Sequence, residues 1–286
     1  MHSTLATRFG HNTTRVLRAE QPLSEDQMRA AAPSIFAAGK HVSRSDRYTY
    51  IPTIEVLRGL RREGFEPFMV AQGASRVEGK TEFTKHMIRM RHANQVQARS
   101  EANEIILINS HDGASSYQFL VGAFRFVCHN GLVVGNVIED LRIPHKGNVE
   151  GEVIEGAIRV LGQFEIVDEH IDAMKALPLD RGEELAFASA ALALRFGERT
   201  DEVTGISVPA PITAEQLTQA RRIEDMGSSL WDSLQRVQEN VLRGGQSGRS
   251  VQGRRMQTRP VGSIDRGVTL NRALWMLAEE MRKLKA

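Results

Sequence analysis

Between residues 67 and 134 the chain alternates like a series of β-strands, and from Glu150 its apolar residues recur with the longer period of helices. Strand side chains alternate faces with period 2 and helical ones return every 3.6 residues, so this switch commits the two stretches to different structures. Strands grouped together and followed by grouped helices make an α+β chain rather than repeating βαβ units. The strand runs fall at residues 67–72, 84–92, 104–109 and 117–134. Within the last run Asn130-Gly131 is a hairpin turn signal, because both residues tolerate positive φ, and Gly122 marks a bulge. The expectation is a mainly antiparallel meander.

Helical signals flank the strands. Ser24-Glu-Asp-Gln27 is a capping box opening a short helix that Pro33 disturbs, and Ile54, Leu57 and Leu60 define a second helix from Thr53 to Gly64. Ile154, Ile158, Leu161, Phe164, Ile171 and Met174 line one long covering helix that Pro178 ends. Further helices are expected over 183–196, from Thr213 toward Asp225, and along Leu230, Leu234, Val237 and Val241. Leu270, Leu274, Leu277, Met281 and Leu284 have 4-3-4-3 spacing over two heptads, too few for a coiled coil. That last helix is expected to dock on the same chain, with a homo-oligomer as the second reading. The domain expectation is an α+β core over 1–180, a helical extension over 181–243, a flexible basic linker over 244–264 and a C-terminal helix over 265–286.

Composition enters through charge. The 286 residues balance 37 Lys+Arg against 35 Asp+Glu, a net of +2 that argues against any special affinity for polyanions. The charges are segregated, however. Residues 40–99 net +6, residues 139–202 net −8, and residues 243–272 net +6, the last through seven Arg against Asp265 alone. Segregation of this kind lets a near-neutral protein hold an anion on one surface. The single cysteine, Cys128, excludes an intrachain disulfide and a four-cysteine metal site. No signal-peptide core opens the chain and no apolar run nears the roughly 18 residues of a membrane span, so a cytoplasmic protein is expected.

The strand over 84–92 is the most informative segment. Alternation puts Lys85, Met87, Arg89 and Arg91 on one face, a row of cations suited to a nucleic-acid backbone. Arg76, Lys80 and Arg99 extend the row, and Arg125 joins it if the bulge turns it that way. Tyr117 and Phe119 are rings on which bases could stack. Arg254 and Arg255 add basic charge in the linker, among Arg249, Arg259 and Arg266. The alternative is a solvated sheet face with ion pairs.

Two other motifs carry chemistry. The string from Ala74 to Thr81, ending Gly79-Lys80-Thr81, fits a loosened Walker A pattern, in which Lys80 would meet phosphates and Thr81 magnesium. A P-loop must open a helix, whereas the segment after Thr81 alternates like a strand. His111-Asp112-Gly113 and Cys128-His129 suggest a dyad, and His86, His92 and His111 a metal site, but no ligand spacing supports either. No catalytic residue, metal or cofactor is expected.

Four strings occur in order: Ser43-Arg-Ser-Asp-Arg-Tyr-Thr-Tyr-Ile-Pro-Thr53, Phe83-Thr-Lys-His-Met-Ile-Arg-Met-Arg91, Asn109-Ser-His-Asp-Gly113 and Gly122-Ala-Phe-Arg-Phe-Val-Cys-His-Asn-Gly-Leu-Val-Val134. Together they resemble the phage/plasmid-like proteins of the "domain of unknown function 932" family, over about residues 20–240. The resemblance implies a bacterial protein of phages, plasmids or integrated elements and carries no catalytic residues. A meander followed by a long helix is also similar to the core of single-strand annealing proteins of the RecT/Redβ kind, a likeness of fold alone. The resulting expectation is a non-catalytic accessory protein binding single-stranded DNA for annealing or recombination. The alternatives are a nucleotide hydrolase using Gly79-Lys80-Thr81, and a module that counters host defence through the acidic 139–202 face.

Overall fold

A computed structural model describes residues 15–44, 48, 50–75, 77–93, 101–126, 130–134, 141–143, 149–197, 199–200 and 207–285. The chain divides into two units: Met1–Gly131 with Val137–Glu165 and Gly262–Ile264, and Leu132–Asn136 with Ile166–Val261 and Asp265–Ala286. The architecture is α+β, as the periodicity requires.

The first unit is built on a sheet of β1 (Arg15–Arg18), β2 (Phe65–Gln72), β3 (His86–His92), β4 (Glu101–Asn109), β5 (Tyr117–Arg125) and β6 (Asn130–Val133), paired in that order, with β7 (Leu141–Ile143) also on β5. The β1–β2, β2–β3, β3–β4, β4–β5 and β5–β7 pairs are antiparallel. Strand β1 has no counterpart in the sequence expectation. The bulge also falls elsewhere. Pairing runs unbroken through Glu104↔Gly122, while the β2–β3 register shifts between Pro67 and Met69, leaving Phe68 as the extra residue. Proline cannot donate to a sheet ladder, so a bulge is where a strand tolerates it. Asn130 and Gly131 lie within β6 instead of forming the expected turn.

Register assigns the faces. One carries Val70, Ile88, Met90, Leu107, Phe119 and Val121, all buried. Helix α2 (Thr53–Arg62) meets this face, since Thr53 bonds to His86 and Asn109 there. The other face carries Met69, Met87, Arg89, Ile106 and Leu120, and these are buried as well. Both faces of the sheet are therefore interior. Helix α1 (Glu25–Ala31) begins at the expected box: Gln27 N–H donates to Ser24 Oγ (3.2 Å), and Ser24 N–H to Gln27 Oε1 (2.9 Å).

The long covering helix is two helices, α3 (Val149–Leu161) and α4 (Phe164–Ala176), separated at Gly162-Gln163. The break resets the phase. Ile158 is exposed, whereas Phe164, Val167, Ile171 and Met174 are buried.

In the second unit α5 (Arg181–Phe196) is capped by Asp180, β8 (Arg199–Thr200) pairs with β9 (Ser207–Val208), and α6 (Ala214–Leu217) is only one turn. Helix α7 (Leu230–Arg243) is buried from Leu230 to Val241 except for the half-buried Asp232, polar residues included. Arg236 donates to Asp225 O and Gly227 O, Asn240 Nδ2 to Leu217 O and Gln219 O, and Gln238 Nε2 to Asn271 Oδ1. Such groups are tolerated inside because each finds a partner. The expected flexible linker contains an ordered hairpin, β10 (Ser247–Arg249) against β11 (Arg255–Gln257). The C-terminal α8 (Ile264–Lys285) docks by Leu270, Leu274, Trp275 and Ala278, with Trp275 edge-on to Trp231 at 6.5 Å. The expected stripe fails at its end, where Leu284 is 86% exposed.

Ser229 caps α7 by accepting from Asp232 N–H (3.1 Å). Ser229→Ala should lower unfolding free energy by about 1 kcal/mol, read as a shifted urea midpoint at unchanged slope.

Candidate functional site

The face of β3 chosen for phosphate contact is interior. Arg89 and Arg91 are 4% and 3% exposed, and Glu104 sits between them. Its Oε2 lies 2.5 Å from Arg89 Nε, and its Oε1 lies 2.9 Å from Arg91 Nε. Three rings surround the Arg91 guanidinium, with centroids at 3.8 Å (Phe124), 4.3 Å (Phe68) and 5.1 Å (Phe126). Phe68 reaches that position as the extra residue of the bulge, the usual way a bulge re-aims a side chain. Burial lowers the Arg91 pKa, and Glu104 opposes the shift. The expected exposed row of Arg89 and Arg91 is thus corrected to a buried charge cluster: alternation assigned the face, but not what covers it.

The remaining members of the row are scattered. Arg125 is buried, and register puts it on the opposite face from Arg89, with Val121 and Ala123. Lys85 precedes β3 and is half-buried. Lys80 pairs with Asp112 Oδ2 (3.1 Å). Arg76 and Arg99 lie outside the described residues. The stacking expectation is corrected too, since Tyr117 and Phe119 are core residues at 0% and 1% exposure. A side chain on Gly131 would collide with Arg89, because its ideal Cβ falls 2.2 Å from Nη1. Glycine is required there by close approach.

A second constellation joins three of the four sequence strings. Thr53 Oγ1 lies 3.0 Å from His86 Nε2, 3.0 Å from Asn109 Nδ2 and 3.2 Å from His111 Nε2. The donors can be assigned from the bonds. Gln72 Nε2 donates to Thr81 O, which leaves Oε1 to accept from Ser34 N–H and Oγ–H. Ser34 Oγ must then accept from His86 Nδ1–H, so the neutral ring accepts at Nε2 from Thr53. With its proton committed, Thr53 Oγ1 accepts from Asn109 and from a proton on His111 Nε2. Thr53, His86 and His111 are each 0% exposed, so no substrate reaches this hydroxyl–imidazole pair, and it pins α2 to the sheet.

The neighbouring loop is polar. Burial opposes the Asp112 charge, but the Ala114 amide, Lys80 and Ser110 outweigh it and hold the carboxyl below its ordinary pKa. Gly79-Lys80-Thr81 leads into the 3-10 turn Thr81–Phe83 and then β3. No helix opens there, so the string does not form a P-loop cradle. His92 stands at the far end of β3 against Phe65, apart from His86 and His111. Among the described residues no cluster of three or more His, Cys, Asp or Glu could hold a metal. No described helix is long and apolar enough to cross a membrane. Cys128 and His129 lie outside the described residues. The acidic 139–202 segment is divided between the two units.

Of the described residues expected to contact nucleic acid, the exposed ones, Arg254 and Arg255, are in the hairpin whose sequence reads as linker. Arg249, Arg254 and Arg255 are exposed, and Arg249 stands directly opposite Arg255. Among the described residues none of the three has a carboxylate partner. The signal available in the sequence was the pairing potential of residues 247–249 and 255–257 around Gly253, hidden by glycine and serine content.

Fold and sites describe an α+β protein with buried polar networks and one basic ribbon. A family model described as "Domain of unknown function (DUF932)" matches residues 40–275, and the chain belongs to that family. The match starts and ends later than the 20–240 expected from the four strings, and contains all of them. Two relatives from Escherichia coli (strain K12), UPF0380 protein YafZ and UPF0380 protein YfjQ, are each 48% identical over 277 residues, covering 97% of both chains. No solved structure matches.

Glu104→Gln leaves two buried guanidinium groups without their carboxylate and should cost about 3–5 kcal/mol in urea unfolding. A second expectation concerns pH. Burial, with the charge of His111 second, pushes the His86 imidazole from its ordinary 6.5 down to about 3. The unfolded chain takes up that proton near pH 6.5 and the folded chain does not, so stability falls as pH drops from about 6.5 toward 3. Between pH 7 and 5 the loss should reach up to about 2 kcal/mol and shrink in His86→Gln, as measured by urea midpoints.

Proposed function

We propose that this protein is a non-catalytic nucleic-acid-binding accessory protein of a bacterial mobile element, holding phosphates through the arginines of the β10–β11 hairpin. The observation that carries the reading is the Arg249–Arg255 pair. Like charges directly opposed across strands repel, and bound anions relieve that repulsion. Arg254 adds a third exposed cation beside them, and the surrounding 243–272 segment is strongly basic. The mobile-element part rests on the resemblance of the four strings to phage and plasmid proteins. Annealing of single strands loses the support of base stacking, because Tyr117 and Phe119 are core residues. Arginine–phosphate contact remains, and it serves single strands and duplexes alike.

The test is a mobility-shift titration of the full chain on single-stranded and duplex DNA across a salt series. Affinity should fall steeply with salt, with a slope near −0.9 per neutralised phosphate on duplex. Arg249→Glu combined with Arg255→Glu should remove binding. Undiminished affinity in that double variant would sink the reading.

A further inference from the structure

We infer that the β10–β11 ribbon enters the major groove of duplex DNA and reads guanine edges with Arg249 and Arg255. This rests on the nucleic-acid reading above and adds the form of DNA and the mode of recognition. Register and alternation set the geometry. Ser247, Arg249, Arg255 and Gln257 share one face of the ribbon, and all four are exposed. The other face carries Gly248, whose ideal Cβ would fall 2.1 Å from Pro211 O, so that side lies on the backbone of the same unit.

The outward face is chemically uniform. It holds four hydrogen-bonding side chains of the kinds that read base edges: Arg for guanine O6 and N7, Gln for adenine, Ser for either. Arg249 N–H donates to Pro211 O (3.0 Å) and not to β11, which makes Arg249↔Arg255 a non-hydrogen-bonded pair. Side chains of such pairs stand close, with Cβ atoms about 4.5–5.5 Å apart. That spacing spans successive base pairs, which rise about 3.4 Å. Arg249 Nη1 donates to Gly253 O (3.0 Å), which anchors the guanidinium and leaves its Nε and Nη2 hydrogens for a ligand.

Side-chain chemistry selects the groove. The major groove, about 12 Å wide, admits a two-stranded ribbon and presents the guanine O6 and N7 acceptors that an arginine fork matches, whereas the minor groove, about 6 Å wide, presents neither. An open concavity of 610 Å³ is lined by residues of both faces of the ribbon, Gly248 and Met256 together with Ser247, Arg249, Arg255 and Gln257. The ribbon is also preformed. At its base Gly245 N–H donates to Thr258 O (2.8 Å), Thr258 Oγ1 to Gln246 Oε1 (2.6 Å), and Gln246 Nε2 to Asn240 O (3.0 Å) on α7. At its tip Gly253, with φ +74°, donates its N–H to Ser250 O (2.8 Å), closing a turn that needs the left-handed conformation. Base readout requires such rigidity, whereas a flexible basic linker would give only phosphate contact. Arg254 and Arg259 are exposed too and add cations for the phosphates of the groove walls.

The experiment uses the full chain and a pool of duplexes about two helical turns long with a randomised centre. Sequences enriched by binding are remade with 7-deazaguanine, which keeps base pairing and removes the N7 acceptor from the major groove. Affinity should fall by about tenfold. Arg249→Lys with Arg255→Lys keeps both charges but loses the bidentate fork. Whatever its affinity for random duplex, it should lose the preference for guanine over 7-deazaguanine. Both side chains are exposed, and an unchanged melting curve checks the fold. The substituted duplexes test the unmodified protein independently of any variant. Equal affinity for guanine and 7-deazaguanine duplexes, with salt-sensitive binding intact, overturns groove reading and leaves phosphate binding standing. Tighter binding to the same sequence as a single strand overturns it as well. Failure to bind DNA of either form removes both readings.

Discussion

One carboxylate, Glu104, pairs with two guanidinium groups in the interior of the sheet, and the first unit is arranged around that fact. A sheet buried on both faces has no solvent side on which alternating polar residues can rest, so each charge must be matched within. Glu104 divides its oxygens between Arg89 and Arg91. The positive charge left over is met by the π-faces of Phe68, Phe124 and Phe126, whose quadrupoles favour a cation. The β2 bulge supplies Phe68. Gly131 leaves Arg89 the space it occupies.

Around Thr53 the opposite face follows the same rule with neutral groups. Thr53 donates one proton and accepts two, which fixes the tautomers of His86 and His111 and ties the start of α2 to β3, β4 and the 110–112 loop. This explains why histidines with hydrogen-bond geometry resembling a catalytic pair belong to the framework. Catalysis needs an approach path, and complete burial denies it. In the second unit Arg236 and Asn240 of α7 follow the rule by donating to surrounding carbonyls. The chain leaves α7 through Gln246, so the hairpin starts from a rigid base with its arginines outward.

Much of the fold was legible in local pattern. The capping boxes at Ser24 and Thr213, the start of α2 at Thr53 and the buried stripe Leu230, Leu234, Val237 and Val241 all follow from rules spanning fewer than four helical turns. Less legible were features depending on contact between distant segments. The bulge at Pro67–Met69 is visible only once β3 is in register, and the division of α3 from α4 sits at Gly162, where apolar spacing alone continues unbroken. Residues 244–264 read as linker because glycine and serine suggest flexibility until a partner strand is in place.

By itself the sequence determined the α+β class, the antiparallel order of the strands, the family and the face on which each β3 residue lies, because backbone periodicity and short motifs are local properties. Only the tertiary structure decided which of those faces meets water. Arg89 and Arg91 share a face as alternation demands, yet the cover over that face depends on segments far away in the chain. Of the described arginines expected to contact nucleic acid, those left exposed, Arg254 and Arg255, belong to a ribbon whose two strands acquire a face only by pairing with each other.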